Sequence, residues 1–171
     1  GDEVVVLPSN RRSRVARVVG GSSDLPFARA GQSVTLTLTD EVDVSRGDVI
    51  ARAAEPAPVA DQFDATIVWM GEEPMVTGRP YLLKCGTRTV TATVASIRHR
   101  IDVNTLEQQS ARQLDLNEIG LCQLTLDRPL AYDLYGDNHD TGGFILIDRI
   151  GNGTVGAGML RAAAQRSSNV H

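Results

Sequence analysis

The chain has 171 residues and a formal net charge of −4, with 42% hydrophobic and 22% charged residues, which suffices for one or two small domains with real cores. Charges of both signs are interspersed, which argues against nucleic acid, a partner that calls for a basic face. No apolar run approaches the roughly 18 residues of a membrane span, so a cytoplasmic protein with no membrane partner is expected.

The opening, Gly1-Asp2-Glu3-Val4-Val5-Val6, carries no secretory leader and reads as the start of a piece of a longer protein. Residues 1–55 read as strands. Glu3–Leu7, Ser13–Val19 and Asp48–Arg52 are candidates, and Val34, Leu36 and Leu38 alternate with Thr35, Thr37 and Thr39 at the period of a half-buried strand. Ser45-Arg46-Gly47-Asp48 makes a turn before the last of them. Pro56 and Pro58 among alanines then suit an extended connector, which places a linker at 56–60.

Residues 61–162 read as a second unit. Phe63, Ala65, Ile67 and Trp69 share one strand face, and Pro80–Cys85 follows a turn at Thr77-Gly78-Arg79. The run Thr87–Val103 changes phase. Val90, Ala92 and Val94 are apolar first and Ile97 and Ile101 later, a slip that requires a bulge near Ala95-Ser96. Leu106–Leu116 is the one stretch that suits a helical turn. Three β-forming runs close the unit, Ile119–Leu126, Gly143–Asp148 and Thr154–Leu160, with Asn152-Gly153 expected to make a tight hairpin between the last two. The remainder, 163–171, is small and polar and reads as a linker. Short, evenly spaced strands with almost no helix predict an all-β chain of two small antiparallel β-barrels.

Few residues invite a catalytic reading. Cys85 and Cys122 lie in apolar runs far apart and without a nearby His, which fits buried thiols and not a zinc site. Ser96, His99 and Asp102 have the types of a triad, yet residues three apart on a strand point to opposite faces. Arg98-His99-Arg100 fits a solvated strand face, and Trp69 fits core packing better than a stacking platform for a base. Asp137-Asn138-His139-Asp140 gathers polar groups in a loop, where Asx residues cap turns and a contact to a partner is the functional alternative. No Gly-rich phosphate loop ending in Lys and Ser or Thr occurs. Gly156-Ala157-Gly158 has no following Lys and fits close packing at a barrel seam. No catalytic, cofactor-binding or metal-binding residue is therefore expected.

Several stretches together resemble one family. Asn117-Glu118-Ile119-Gly120, Arg128-Pro129, Thr141-Gly142-Gly143-Phe144-Ile145-Leu146-Ile147-Asp148-Arg149 and Thr154-Val155-Gly156-Ala157-Gly158-Met159 resemble the last barrel of the GTPase subunit of bacterial sulfate adenylyltransferase, itself similar to elongation factor Tu. Val34-Thr35-Leu36-Thr37-Leu38 and Asp40–Asp48 resemble its second domain, and Asn10 stands where the family usually has Gly. The resemblance implies a second-domain barrel lacking its opening strands at 1–55 and a third-domain barrel at 61–162. By the same resemblance the parent assembly makes adenosine 5′-phosphosulfate from ATP and sulfate, using GTP and Mg. Its partners would be the catalytic adenylyl-transfer subunit and the chain's own GTPase domain, with Asn138, His139 and Thr141 as candidate contacts. Ser168-Asn169-Val170-His171 resembles the lead-in to a fused adenylylsulfate kinase domain. Two rivals stay open: a translation-factor module contacting aminoacyl-tRNA, and a stand-alone barrel with a ligand in its mouth.

Overall fold

The computed structural model describes residues 1–164. The linker expected at 163–171 and the kinase lead-in at Ser168–His171 fall largely or wholly outside them. The chain divides into two compact units, Gly1–Ala57 and a second from Pro58 onward.

The first unit holds β1 (Glu3–Leu7), β2 (Arg11–Gly20), β3 (Ser23–Leu25), β4 (Thr35–Leu38) and β5 (Val49–Arg52). They form one antiparallel sheet in the order β3-β2-β1-β5, with β4 also paired to β2. The sheet curls without closing, a half-barrel. Val4, Val5, Val6 and Leu7 are all buried, so β1 is covered on both faces. The turn before β5 forms as its sequence dictates. Ser45 N donates to Asp48 Oδ2 at 2.9 Å and Asp48 N to the Ser45 carbonyl at 3.0 Å. Asn10 has φ +60°, the left-handed region that Asn and Gly share, which explains how it stands in a glycine position.

The second unit holds β6 (Val59–Trp69), β7 (Met75–Val76), β8 (Pro80–Cys85), β9 (Arg88–Ile101), β10 (Gln108–Gln109), β11 (Gln113–Leu114), β12 (Ile119–Ala131), the single-turn helix α1 (His139–Gly142), β13 (Gly143–Ile147) and β14 (Thr154–Ala163). Six strands run β9-β12-β6-β14-β13-β8, and β8 pairs back onto β9, so the barrel closes and those strands have no free edge. The interior is filled. Phe63, Ala65, Ile67 and Trp69 are buried as their alternation predicts, and Val90, Ala92, Val94, Leu124, Leu146 and Leu160 meet them. Gly158 allows the closest approach: a Cβ there would lie 2.0 Å from Phe144 Cζ. The seam glycine thus accommodates an aromatic ring, not another backbone.

The bulge expected near Ala95-Ser96 is present. Gln123 faces Ser96 and Leu124 faces Val94, so Ala95 is the extra residue. A second one follows at Arg98, between Leu121↔His99 and Cys122↔Ile97.

Three expectations are corrected. Residues 106–116 contain no helical turn but the short strands β10 and β11. Leu106 sits at φ +61°, which an α-helix cannot include, and the fully buried Leu114 covers Gly120 instead of completing a helical face. The Asn152-Gly153 hairpin is not a two-residue turn. Asn152 has φ +56°, but the loop runs 148–153 and is organised by Asp148, whose Oδ2 accepts from Ile150 N at 3.1 Å and Gly151 N at 2.6 Å. The connector is shorter than 56–60, because Val59 and Ala60 already pair with Ala131 and Leu130. Pro58 is the last residue before the ladder, where its missing N–H removes no strand hydrogen bond.

Candidate docking site

Strand direction sorts the loops of the second unit. Every neighbouring pair in the barrel is antiparallel, so the C-terminal ends of β6, β9 and β13 share one end with the N-terminal ends of β8, β12 and β14. Loops 70–79, 102–118 and 148–153 close that end. Residues 132–142, with α1, lie at the other.

A cleft of about 500 Å³ opens at the first end, floored by Trp69 and Tyr81 and bordered by Glu72, Arg79, Asp148 and Val155. Trp69 ends β6, and its indole Nε1 donates to the Glu73 carbonyl at 2.8 Å, folding the next loop back over the ring. Gly71 makes that possible, since a Cβ there would lie 3.0 Å from Trp69 Cζ2. Trp69 and Tyr81 meet edge to face at 5.4 Å. Arg79 bridges the two loops, 3.1 Å from Glu73 Oε2 and 2.9 Å from Asp148 Oδ1, with its guanidinium 5.7 Å from the centre of the Tyr81 ring. Burial pushes the Tyr81 phenol above its ordinary pKa, opposed by Arg79. The Gly151 and Ile150 amides, with Arg79, hold Asp148 below the usual carboxylate range. The Tyr81 hydroxyl is buried and has no hydrogen-bond partner among the described residues.

This end also exposes apolar side chains. Met70, Val103, Leu106, Leu116 and Ile150 are exposed, Ile150 to 88%. The 102–118 and 70–79 loops are tied together at the Trp69 backbone, whose N–H donates to the Glu118 carbonyl at 2.9 Å and whose carbonyl accepts from Asn117 N at 2.8 Å.

Asn138, His139 and Thr141 lie together at the opposite end, all exposed. Asn138 caps α1, its Oδ1 accepting from Asp140 N at 3.0 Å. Thr141 Oγ1 donates to Asp133 Oδ2 at 2.5 Å, and the His139 ring stacks on Tyr135 at 4.3 Å. The Asx residue therefore works as a turn cap. Ser96, His99 and Asp102 do not converge. Ser96 Oγ reaches Gln123 Oε1 at 3.4 Å, while Asp102 Oδ1 caps its own loop through Asn104 N at 2.8 Å. Arg98 pairs with Asp64 at 3.1 Å, and Arg100 with Glu118 and Gln109. Cys85 and Cys122 are buried free thiols, and burial pushes Cys122 up to about 12. Among the described residues no three His, Cys, Asp or Glu side chains gather as metal ligands, and no helix is long and apolar enough to cross a membrane. Gly156 and Gly158 stand in the β14–β6 ladder opposite Trp69 and Ile67, so their segment does not fit a phosphate cradle.

A closed barrel following a half-barrel is an arrangement of translation-factor type. Residues 62–161 match the family described as GTP-eEF1A C-terminal domain-like, and the chain belongs to that family. Its relatives are more specific than the fold. It is 54% identical over 171 residues to the bifunctional enzyme CysN/CysC of Xylella fastidiosa, covering the whole chain and 27% of that protein. It is 48% identical over 172 aligned residues to sulfate adenylyltransferase subunit 1 of Shewanella woodyi, covering 37% of that protein. The chain thus spans well under half the length of these relatives. A solved structure of sup35 complexed with GDP shares the fold, with a TM-score of 0.86 and 20% identity over 95% of this chain and 40% of that one. The resemblance carried by Asn117–Met159 is accordingly one of common family, and the sulfate adenylyltransferase GTPase subunit is where the relatives lie.

Proposed function

We propose that this chain is the non-catalytic β-barrel portion of a GTP-dependent sulfate adenylyltransferase subunit, holding the GTPase domain and docking the catalytic subunit. The parent assembly joins ATP and sulfate to give adenosine 5′-phosphosulfate and pyrophosphate, with GTP hydrolysis driving the unfavourable step. GTP, ATP and Mg belong to that assembly and not to these residues. The observation that carries the reading is the closure of the barrel. With every strand of the ring paired and the interior packed with Phe63, Ile67, Trp69 and Leu124, recognition is left to the loops at the two ends. A rigid body of this kind transmits motion of an attached domain without rearranging itself.

An excess of the chain, added in trans, is expected to compete with the full-length GTPase subunit for the catalytic subunit and so to slow adenosine 5′-phosphosulfate formation. By itself it hydrolyses no GTP. Undiminished synthesis at a large excess of folded chain refutes the docking role.

A further inference from the structure

We infer that the Trp69–Tyr81 cleft and the exposed apolar side chains of its end are the docking surface, and that the occupant is a basic segment of the partner subunit that places an arginine or lysine side chain between the 71–73 and 148–153 loops. The inference rests on the docking role proposed above and names the end of the barrel and the chemistry of the partner.

Three observations converge on this end. The first is charge. Glu72, Glu73 and Asp148 line the cleft against Arg79 alone. Arg79 pairs with Glu73 and Asp148, which leaves the Glu72 carboxylate without a hydrogen bond or ion pair among the described residues. The loops of the whole end, 70–79, 102–118 and 148–153, carry seven carboxylates against three arginines, and one of the seven, Glu118, is paired with Arg100 of β9. A surface with this surplus attracts a cationic partner and holds it in register. The second is shape and surface. Two aromatic side chains form the floor, and the cleft already seats one guanidinium, that of Arg79, over the Tyr81 ring. Ile150 lines the cleft and is exposed, and Met70 and Leu116 are exposed in the other loops of the same end. The third is the unpartnered Tyr81 hydroxyl, a buried polar group left without its bond beneath Arg79. A second cation on Glu73 or Asp148 would free Arg79 to shift and open that hydroxyl to a partner's carbonyl.

Among the described residues of the opposite end, the Asp137 and Asp140 carboxylates also have no partner, but the loop otherwise satisfies itself. There Asn138 and Thr141 bond within their own loop and His139 stacks on Tyr135.

The test uses the full-length GTPase subunit and the purified catalytic subunit, with the dissociation constant measured by titration calorimetry at two salt concentrations. Glu72→Arg is expected to weaken the complex by about tenfold or more, with a larger loss at low salt, because rim charges act through screened fields. Ile150→Ser is expected to weaken it several-fold. Neither change should move the melting point, since Glu72 has no partner among the described residues and Ile150 is exposed. If both variants bind as wild type while Asn138→Ala with His139→Ala binds weakly, the docking role stands and this inference is overturned. If both leave binding unchanged but alter GTP turnover, the cleft faces the GTPase domain and the inference is equally overturned. If wild-type protein fails to bind the catalytic subunit at all, the docking role itself fails.

Discussion

Trp69→Ala probes whether the end of β6 is core or contact surface. The side chain is only 2% exposed, although it floors an open cleft. An indole buries about 150–250 Å², which at about 25 cal/mol per Å² amounts to roughly 4–6 kcal/mol before the retained β-carbon is subtracted. Loss of the Nε1 bond to the Glu73 carbonyl, 2.8 Å long, frees the 71–73 loop and costs about 1 kcal/mol more. Partial collapse of Tyr81 and Val155 into the space recovers some of this, so a net loss of about 3–5 kcal/mol is expected. Trp69 is the one tryptophan, so its fluorescence cannot follow its own replacement. Far-ultraviolet dichroism in urea would blend two units. Native-state hydrogen exchange at the β6 and β12 amides reads the second unit directly, and protection there should fall by the same free energy. Trp69→Phe keeps the packing and loses the N–H, which predicts about 1–2 kcal/mol. A loss below about 1 kcal/mol for Trp69→Ala would mean that the indole contributes little to the barrel, and the core assignment would be wrong.

Gly158→Ala should destabilise the second unit by about 1–3 kcal/mol, because the new Cβ meets the Phe144 ring. Combining it with Phe144→Leu should recover part of that loss in a denaturation cycle, and strict additivity would refute the contact. Asp148 has a depressed folded-state pKa, so its stabilisation is complete above the ordinary carboxylate value of about 3.9 and is lost as pH falls through the lower folded value. Asp148→Asn should therefore flatten the acid limb of melting temperature against pH below about 4, and parallel curves for the two proteins would refute the assignment.

The strand framework was legible because hydrophobic parity is a local signal. Val90, Ala92 and Val94 lie on even positions and Ile97 and Ile101 on odd ones, and that switch places a bulge near Ala95-Ser96 without reference to a partner strand; the pairing puts it at Ala95. The second bulge, at Arg98, was not legible, since it falls among Arg98, His99 and Arg100, whose polar side chains carry no inward or outward parity. Residues 106–116 misled for a related reason. Leu106, Leu114 and Leu116 show no regular period, since positions two apart lie on opposite sides of a helix, and Leu114 is held by Gly120 from a strand outside the segment while Leu106 and Leu116 remain exposed. Burial from elsewhere in the chain decided the local structure.

The candidate site was illegible for a physical reason specific to closed barrels. Its bridge, Arg79 to Asp148, spans 69 residues, and nothing in either neighbourhood marks the other. Loop polarity drew attention to Asp137–Thr141, yet polarity alone does not distinguish a loop that recognises from one that holds itself together. Asn138 and Thr141 are polar because α1 and the Asp133 contact need them to be. A docking loop is marked instead by groups that its own fold leaves unengaged. At the other end, among the described residues, the Glu72 carboxylate and the Tyr81 hydroxyl have no partner, and Ile150 and Leu116 face solvent; the unpaired carboxylate alone does not separate the ends, since Asp137 and Asp140 have none either, but the buried unbonded hydroxyl does. None of these serves the barrel's stability, and exposing apolar side chains or burying an unbonded hydroxyl costs free energy in the isolated chain. Features that cost the free protein stability and cluster at one end are expected where a partner offsets the cost on binding. That asymmetry between the two ends is what favours the Trp69–Tyr81 cleft as the proposed docking surface.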